Sequence, residues 1–438
     1  MHKTSRWMLD RQTETTTTLL TALFIGLLTG VAAWLLKLMI SWISHWLTNS
    51  FSLNGPNYPL LVIPVVGIVL TGIFVRYILR YNVEHGVDQI IAMIKDKQPV
   101  MKRRLTAGSM IASTLTLAFG GSAGSEGPIA FTGAAIGSNV ARGAGMSRHL
   151  TMIMLGCGAG AGIAGIFKAP VGGALFTIEV LRLEMTTISI FALFLSTITA
   201  ALTAFVLSGC TFDIPWDTIA TFDESMLPWV FGLGVFCGFY SYYYVWVMKR
   251  MKRLFGSIRN PWIQNIASGL SLAILVFLFP ALYGEGYGVI GNIINGNDSG
   301  LLHDSIWASL DNSTWLLVAV MAGILLTKCF AASSSNSGGG VAGDFAPTLF
   351  AGAIAGLLFA TMVNLAWPGE INASHFALIG MGAVMAGAIR APLMAIFLTM
   401  EMTASYTFIL PITIAATIAF GIVKALTPGA FYDVRHLR

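Results

Sequence analysis

Charged side chains are scarce in this sequence. Asp, Glu, Lys and Arg make up only 10% of the 438 residues, whereas 55% of the residues are hydrophobic. A soluble domain carries about 25% charged residues, so the composition excludes a soluble globular protein. The few basic residues lack interleaved aromatic side chains, which disfavours a nucleic-acid-binding surface. The chain is therefore interpreted as an integral membrane protein.

Cysteine is also rare, with four residues scattered through the chain: Cys157, Cys210, Cys237 and Cys329. No two of them have the spacing of a redox or metal-binding pair, so we interpret all four as small buried hydrophobic residues. The sequence contains no His-Glu-x-x-His motif. These absences argue against an enzyme, a cofactor and a metal-cation carrier.

Long apolar segments recur along the chain, and each is long enough, or nearly so, to cross a hydrocarbon core of about 30 Å. The seven segments are 18–47, 58–80, 187–208, 227–248, 265–283, 314–331 and 407–425. Shorter apolar pieces interrupted by Gly and Pro lie between them, at 104–119, 127–141, 152–167, 170–181, 347–364 and 376–402. Broken helices at membrane depth are tolerated only where the backbone is buried in protein or lines a cavity. The pattern predicts a transporter or a channel.

Basic residues cluster at 3–11, 95–104 and 249–259, which indicates cytoplasmic loops by the positive-inside rule. Residues 1–17 carry Asp10 and Glu14 ahead of the first apolar run and have no cleavage signal. We predict that they form a cytoplasmic amphipathic lead-in rather than a removable signal peptide. The chain is expected to cross a cell membrane several times, in bacteria the inner membrane.

An internal repeat divides the chain into two similar parts. "GAGAGIAGIFKAPVGGALFTIEVL" (158–181) and "GMGAVMAGAIRAPLMAIFLTMEMT" (380–403) share nine identities in 24 positions at an offset of 222. "GSEGP" (124–128) and "GDFAP" (343–347) agree at an offset of 219. We predict two membrane repeats, 18–215 and 216–438, with the substrate site at their interface. The residues alone leave open whether the second repeat is inverted.

"GSEGP" and "GDFAP" are each a Gly-rich turn that ends in proline and precedes an apolar helix. Proline suits the first turn of a helix, and glycine lets the backbone approach a ligand closely. The free N–H groups and the dipole of a helix N-terminus favour anions. Two such ends predict a dehydrated anion site, the alternative being that the turns are simple kinks. Glu126 is then predicted to occupy the site as a substitute anion and to leave it when protonated.

These motifs resemble those of the CLC family of chloride channels and proton/chloride antiporters. "GSEGP" is similar to the family's Gly-(Lys/Arg)-Glu-Gly-Pro signature, and "SSSNSGGGVAGDFAPTLFAGA" (333–353) to its Gly-x-Phe-x-Pro segment. "KAPVGGALFTIE" (168–179) and "RAPLMAIFLTMEMT" (390–403) are similar to its two Ala-Pro…Glu helices. The resemblance implies an all-α membrane fold of two inverted repeats with many tilted and broken helices. It also implies a homodimer in membrane lipid, with one anion pathway per subunit and no cytoplasmic regulatory domain.

The resemblance assigns roles to individual residues. It implies that Glu126 is the gating glutamate and that the backbone of Ser125–Gly127 faces the ions. The backbone of Asp344 and Phe345 is implied to do the same from the second repeat. Tyr432 stands in the place of the tyrosine whose hydroxyl donates a hydrogen bond to the anion, although an interfacial aromatic residue is the alternative.

Three departures from the family bear on the ion path and on proton coupling. In "EHGVDQI" (84–90), His85 replaces a serine that lines the ion site; His85 either donates to the anion or turns away. Asp344 replaces an apolar residue, and its charge should repel the anion unless it points away or is neutralised. Val180 stands where many proton exchangers have an acid.

The valine at position 180 favours passive or weakly proton-coupled conduction of chloride or another small monovalent anion, because valine cannot relay a proton. The alternative is a proton/anion antiporter. Glu179 and Glu401, the acids of the two Ala-Pro…Glu helices, are predicted to form hydrogen bonds with nearby helix ends.

We expect His85→Ser to raise the preference for chloride over other small anions, because serine restores the hydroxyl donor of the family motif. Reversal potentials in planar bilayers, measured with pairs of anions, check this. Identical reversal potentials for the variant and the unmodified chain would show that His85 does not line the path.

Overall fold

The structure is a computed structural model, and it gives side chains from residue 14 onward. His85, Tyr432 and the predicted boundary between the repeats lie outside the described residues. The structure describes residues 2–49, 51, 57–81, 86–184, 186–212, 214, 221–297, 301–302, 305–307, 313–404 and 406–427.

The described residues form an all-α fold of sixteen α-helices, with an isolated bridge but no strand. In chain order the helices are α1 (His2–Thr48), α2 (Ile63–Ile73), α3 (Val87–Lys95), α4 (Arg104–Ala118), α5 (Glu126–Gly143), α6 (Arg148–Phe167), α7 (Pro170–Leu175), α8 (Thr187–Leu207), α9 (Leu227–Gly256), α10 (Pro261–Leu278), α11 (Tyr287–Ile294), α12 (Thr314–Ser337), α13 (Phe345–Ala366), α14 (Ala373–Ile389), α15 (Pro392–Met402) and α16 (Ile409–Leu426).

Nine helical segments in the described part of the chain are long and apolar enough to cross a membrane. All seven predicted long segments fall on one of them, which confirms a protein that spans a membrane several times. The predicted segment 265–283 is too long, because α10 ends at Leu278. Pro280 cannot continue the helix, and Phe279 before it is extended, with φ −132°.

The shorter apolar pieces behave in two ways: 376–402 is broken as expected, whereas 104–119, 127–141, 152–167 and 347–364 each follow a single helix. The piece 376–402 is divided at Arg390, which has φ +63° and separates α14 from α15. The pieces 152–167 and 347–364 are instead continuous parts of α6 and α13. Their glycines do not break the helices, because they serve close helix packing.

That packing joins α5 to α6 and α13 to α14. A Cβ atom at Gly133 would lie 2.0 Å from the Gly158 carbonyl oxygen, and one at Gly352 would lie 2.3 Å from the Gly380 carbonyl oxygen. Any side chain at these positions would push the helix backbones apart. The two helix pairs are therefore held in near backbone contact at corresponding places in the predicted repeats.

Large apolar side chains cover the outside of the bundle. Trp46, at the end of α1, is 75% exposed, and Trp315, at the start of α12, is 71% exposed. Tryptophan at helix ends is typical of the membrane–water interface, so this exposure fits a protein surrounded by lipid.

Three of the cysteines are buried, but Cys210 is exposed. The prediction of a buried residue is therefore wrong for Cys210. It lies in the loop after α8 with φ +58°, where no neighbouring helix covers it.

Two glutamates connect the halves reciprocally. Glu401 on α15 accepts hydrogen bonds from the N–H groups of Val171 (3.0 Å) and Gly172 (2.8 Å) at the start of α7. Glu179, which follows α7, accepts from the N–H groups of Leu393 (3.4 Å) and Met394 (2.8 Å) at the start of α15. The predicted bonds of both acids to helix ends are confirmed. They place the starts of α7 and α15 side by side, as two similar repeats would.

Candidate functional site

The N-termini of α5 and α13 meet in the middle of the protein. Gly124 and Gly343, just before these helices, exchange backbone hydrogen bonds, at 3.0 Å from Gly124 N–H and 2.6 Å from Gly343 N–H. The two predicted turns, "GSEGP" and "GDFAP", are therefore in direct contact. Ser125, Glu126, Gly127, Asp344 and Phe345 are all buried there.

Glu126 is only 1% exposed and reaches from its own helix to the start of the other. Its Oε1 accepts hydrogen bonds from the N–H groups of Phe345 (2.5 Å) and Ala346 (2.9 Å), the first residues of α13. Its Oε2 is buried and has no hydrogen-bond partner among the described residues. The carboxylate thus lies where the N–H groups of α13 would hold an anion.

Two glycines make room for this carboxylate. A Cβ atom at Gly124 would lie 1.8 Å from Oε2 of Glu126, and one at Gly343 would lie 2.8 Å from Oε1. Both positions therefore need glycine while Glu126 adopts this conformation. The Glu126 carboxylate therefore explains one glycine in each turn, because a side chain there would collide with it.

A second carboxylate, which the sequence did not single out, lies at the start of α5. Oε1 of Glu285 accepts hydrogen bonds from the Ser125 N–H (2.8 Å) and from Ser125 Oγ (2.5 Å). Glu285 belongs to the short loop before α11, and sequence reasoning gave it no role. Each of the two helix N-termini thus binds a carboxylate oxygen from elsewhere in the protein.

Sequence reasoning also missed Lys328, whose side chain is fully buried on α12. Its Nζ donates to Ser122 Oγ (2.9 Å) and lies 4.5 Å from the centre of the Phe350 ring. Its positive charge interacts favourably with Glu126. Lys328 is the only charged residue of α12, and an isolated charge in an apolar helix was a signal that could have found it.

Asp344 caps the start of α13 and is 3% exposed. Its Oδ1 accepts a hydrogen bond from Nδ2 of Asn336 (2.8 Å), near the end of α12. It also interacts electrostatically with Asp88 on α3 and Lys252 on α9. The bond to Asn336 thus holds the side chain toward the end of α12.

The segment around Gly86 also reaches the site. Gly86 has φ +68°, and a Cβ atom there would lie 2.7 Å from the Gly127 carbonyl oxygen. The start of α3 therefore lies against the first turn of α5. His85 and Tyr432, which lie outside the described residues, keep their roles as predictions.

Two cavities approach the site. The Arg76 cavity, of about 430 Å³, is lined by residues that include Arg76, Arg80, Lys252 and Asn336. The Glu285 cavity, of about 680 Å³, is lined by residues that include Lys37, Ser44, Lys168, Tyr283 and Glu285.

These cavities lie toward opposite faces of the membrane. The membrane spans of α1 and α2 follow each other in the chain, so the end of α1 and the start of α2 lie at the same face. Ser44 is near the end of α1 and therefore lies at that face. Arg76 and Arg80 follow α2 and lie at the other face. Both cavities carry positively charged side chains, which attract anions.

The chain is similar to proteins that are already known. The family profile described as voltage gated chloride channel matches residues 67–424. A ClcB-like chloride channel protein of Ralstonia nicotianae is 30% identical over 384 residues, which cover 86% of this chain and 84% of the relative.

Solved structures share the fold. A slow cyanobacterial Cl⁻/H⁺ antiporter superposes with a TM-score of 0.80 at 24% identity, over 96% of this chain and 99% of the other. A CLC-type fluoride/proton antiporter superposes with a TM-score of 0.77 at 21% identity, over 96% of this chain and 98% of the other. At these identities the likeness concerns the fold.

We expect Lys328→Met to lower anion uptake by about tenfold, the equivalent of about 1.4 kcal/mol, because it removes a buried positive charge beside the site without leaving a large cavity. Uptake into liposomes at constant pH measures this. Ser122→Ala is the matched control, since it removes the hydrogen-bond acceptor of Lys328 and keeps the charge. An equal loss in both variants would contradict an electrostatic role.

Proposed function

Because this chain belongs to the CLC family and is an anion-transport protein, we propose that it moves chloride or another small monovalent anion through a path gated by Glu126. The contact between the Glu126 carboxylate and the N–H groups of Phe345 and Ala346 carries this proposal. An anion and the carboxylate cannot both use the same donors. The carboxylate therefore competes with the transported ion.

The path runs between the two cavities by way of the starts of α5 and α13. The backbone of Ser125, Gly127, Asp344 and Phe345 contributes N–H groups along it, and His85 and Tyr432 are proposed to donate hydrogen bonds to the anion. Lys37 and Lys168 draw anions in at one face. Arg76, Arg80 and Lys252 do so at the other.

Protonation opens the gate in this proposal. A charged carboxylate binds N–H donors about twice as strongly as a neutral group does. Protonated Glu126 loses that advantage and leaves the donors to the anion. Anion flux should therefore rise as the pH falls.

The lead-in, the positive-inside pattern and the family support a protein of a bacterial inner membrane with the Arg76 cavity facing the cytoplasm. We infer a homodimer in lipid with one path per subunit. Apolar side chains such as Phe191 and Leu202 on α8, exposed by 64% and 59%, offer a face to lipid or to a second copy. Cross-linking in membranes, read as a dimer, checks the assembly.

We expect Glu126→Gln to remove most of the pH dependence of anion flux and to raise the flux at high pH, because glutamine cannot become charged. Chloride efflux from liposomes at several pH values measures this. The control is Glu224→Gln, which neutralises an exposed acid before α9 and should leave the profile unchanged. A pH profile of Glu126→Gln identical to that of the unmodified chain would remove Glu126 from the gate.

Transport is proposed to be passive or weakly coupled to protons, since Val180 offers no acid beside Glu179. A specific observation favours proton/anion exchange as the second candidate. Asp344 is a second buried carboxyl group that interacts electrostatically with Glu126, and its partner Asn336 lines the Arg76 cavity. A proton could pass from that cavity to Asp344 and then to Glu126.

We expect a chloride gradient across liposomes to drive little or no proton uptake, as external pH recordings would report. Stoichiometric proton uptake against a proton gradient would contradict passive transport and establish exchange. In that event, Asp344→Asn should abolish proton movement and leave the chloride flux unchanged. Asparagine keeps an oxygen that accepts the hydrogen bond from Asn336, but it cannot take up and release a proton. Persisting proton uptake in this variant would exclude Asp344 as the relay.

A further inference from the structure

We propose that Glu285 is a second gate, which closes the path on the side of the Glu285 cavity by binding the start of α5. This inference rests on the proposed function and adds a residue to it. The Glu285 carboxylate must leave Ser125 before an anion from this cavity can use the N–H groups at that helix start.

The contact is direct. Oε1 of Glu285 receives both the Ser125 N–H (2.8 Å) and the Ser125 hydroxyl (2.5 Å). Ser125 immediately precedes α5, where unsatisfied N–H groups and the helix dipole favour a negative charge. Glu285 therefore holds α5 in the way that Glu126 holds α13, and in this conformation neither contact is available to an ion.

The loop around Glu285 suits a side chain that moves while its surroundings stay in place. Glu285 lies between Gly284 (φ +69°) and Gly286 (φ +84°), which adopt a left-handed conformation that favours glycine. The hydroxyl of Tyr283 donates to the Ala118 carbonyl (2.8 Å) and anchors one end of the loop. The other end continues into α11 at Tyr287.

Glu285 is only partly buried and lines the cavity, so water, protons and anions reach it. The charges of Glu285 and Glu126 repel each other. Protonation of Glu285 removes this repulsion and also weakens the hold on Ser125. Raising the proton concentration in this cavity therefore opens the second gate as well as the first.

Other titratable groups line the same cavity and also affect how strongly it attracts anions. The ammonium of Lys168 donates to the Thr211 carbonyl (2.6 Å), and that of Lys37 lies 5.2 Å from the centre of the Tyr287 ring. Both are positive, so they attract incoming anions that compete with Glu285 for Ser125. Tyr283 and Tyr287 also line this cavity.

The test compares Glu126→Gln with the double variant Glu126→Gln/Glu285→Gln in liposomes, while pH is varied only on the side of the Glu285 cavity. We expect Glu126→Gln to keep a residual pH dependence that the double variant loses. At high pH the anion flux through the double variant should exceed that through Glu126→Gln by about tenfold, because the hydrogen bonds from Ser125 to a charged carboxylate are lost.

Further variants keep the result interpretable. Glu285→Asp preserves the charge and should retain pH dependence, and Glu370→Gln, an acid that accepts from Trp229 Nε1, should change nothing. The inference would be overturned if the double variant kept the residual pH dependence of Glu126→Gln. It would also be overturned if the double variant had a lower flux than Glu126→Gln at every pH, because that is the result expected when a purely structural contact is lost. Failure of the proposed function looks different, because Glu126→Gln alone would then leave the full pH dependence.

Discussion

A small anion is stable inside a membrane protein only where hydrogen-bond donors replace its water, and the starts of α5 and α13 are the places where this chain offers such donors. Removing a charge from water costs several kcal/mol or more, so a negative group enters only where such donors compensate, and any carboxylate nearby competes for them. In this structure the groups are carboxylates of the protein itself. Glu126 binds the N–H groups of α13, and Glu285 binds Ser125 before α5.

Much of the remaining architecture follows from this arrangement. Gly124 and Gly343 make room for the Glu126 side chain. Lys328 places a buried amino group beside Ser122, close to the same turn. The glycine contacts of α5 with α6 and of α13 with α14 hold the two helix starts against each other. A larger side chain at any of these glycines would move the donors away from the ion.

The sequence was enough to predict the long helices and the two helix starts, because both signals are local. "GSEGP" and "GDFAP" each carry their turn, proline and helix within a few residues, and their common offset predicts that they correspond. Glu285 and Lys328 could not be assigned in this way. Their partners Ser125 and Ser122 are 160 and 206 residues away along the chain, and only the folded structure brings them together. Asp344 was recognised as unusual, but its bond to Asn336 was not predictable from its neighbours.

Glycine was the least informative residue in the sequence. A glycine in an apolar segment predicts equally a helix break or a close helix contact, and the difference depends on what packs against it. Near Arg390 the chain does break, whereas α6 and α13 remain continuous. Cys210 illustrates the same limit, since its exposure depends on how the loop after α8 lies.

The central claim is that Glu126 occupies a position that an anion takes when the carboxylate is absent. Anomalous diffraction from crystals of Glu126→Ala soaked in bromide tests it most directly. We expect a bromide within hydrogen-bond distance of the N–H groups of Phe345 and Ala346, and none there in the unmodified chain at high pH. Bromide at that position with Glu126 still in place, or no bromide in the variant, would contradict it.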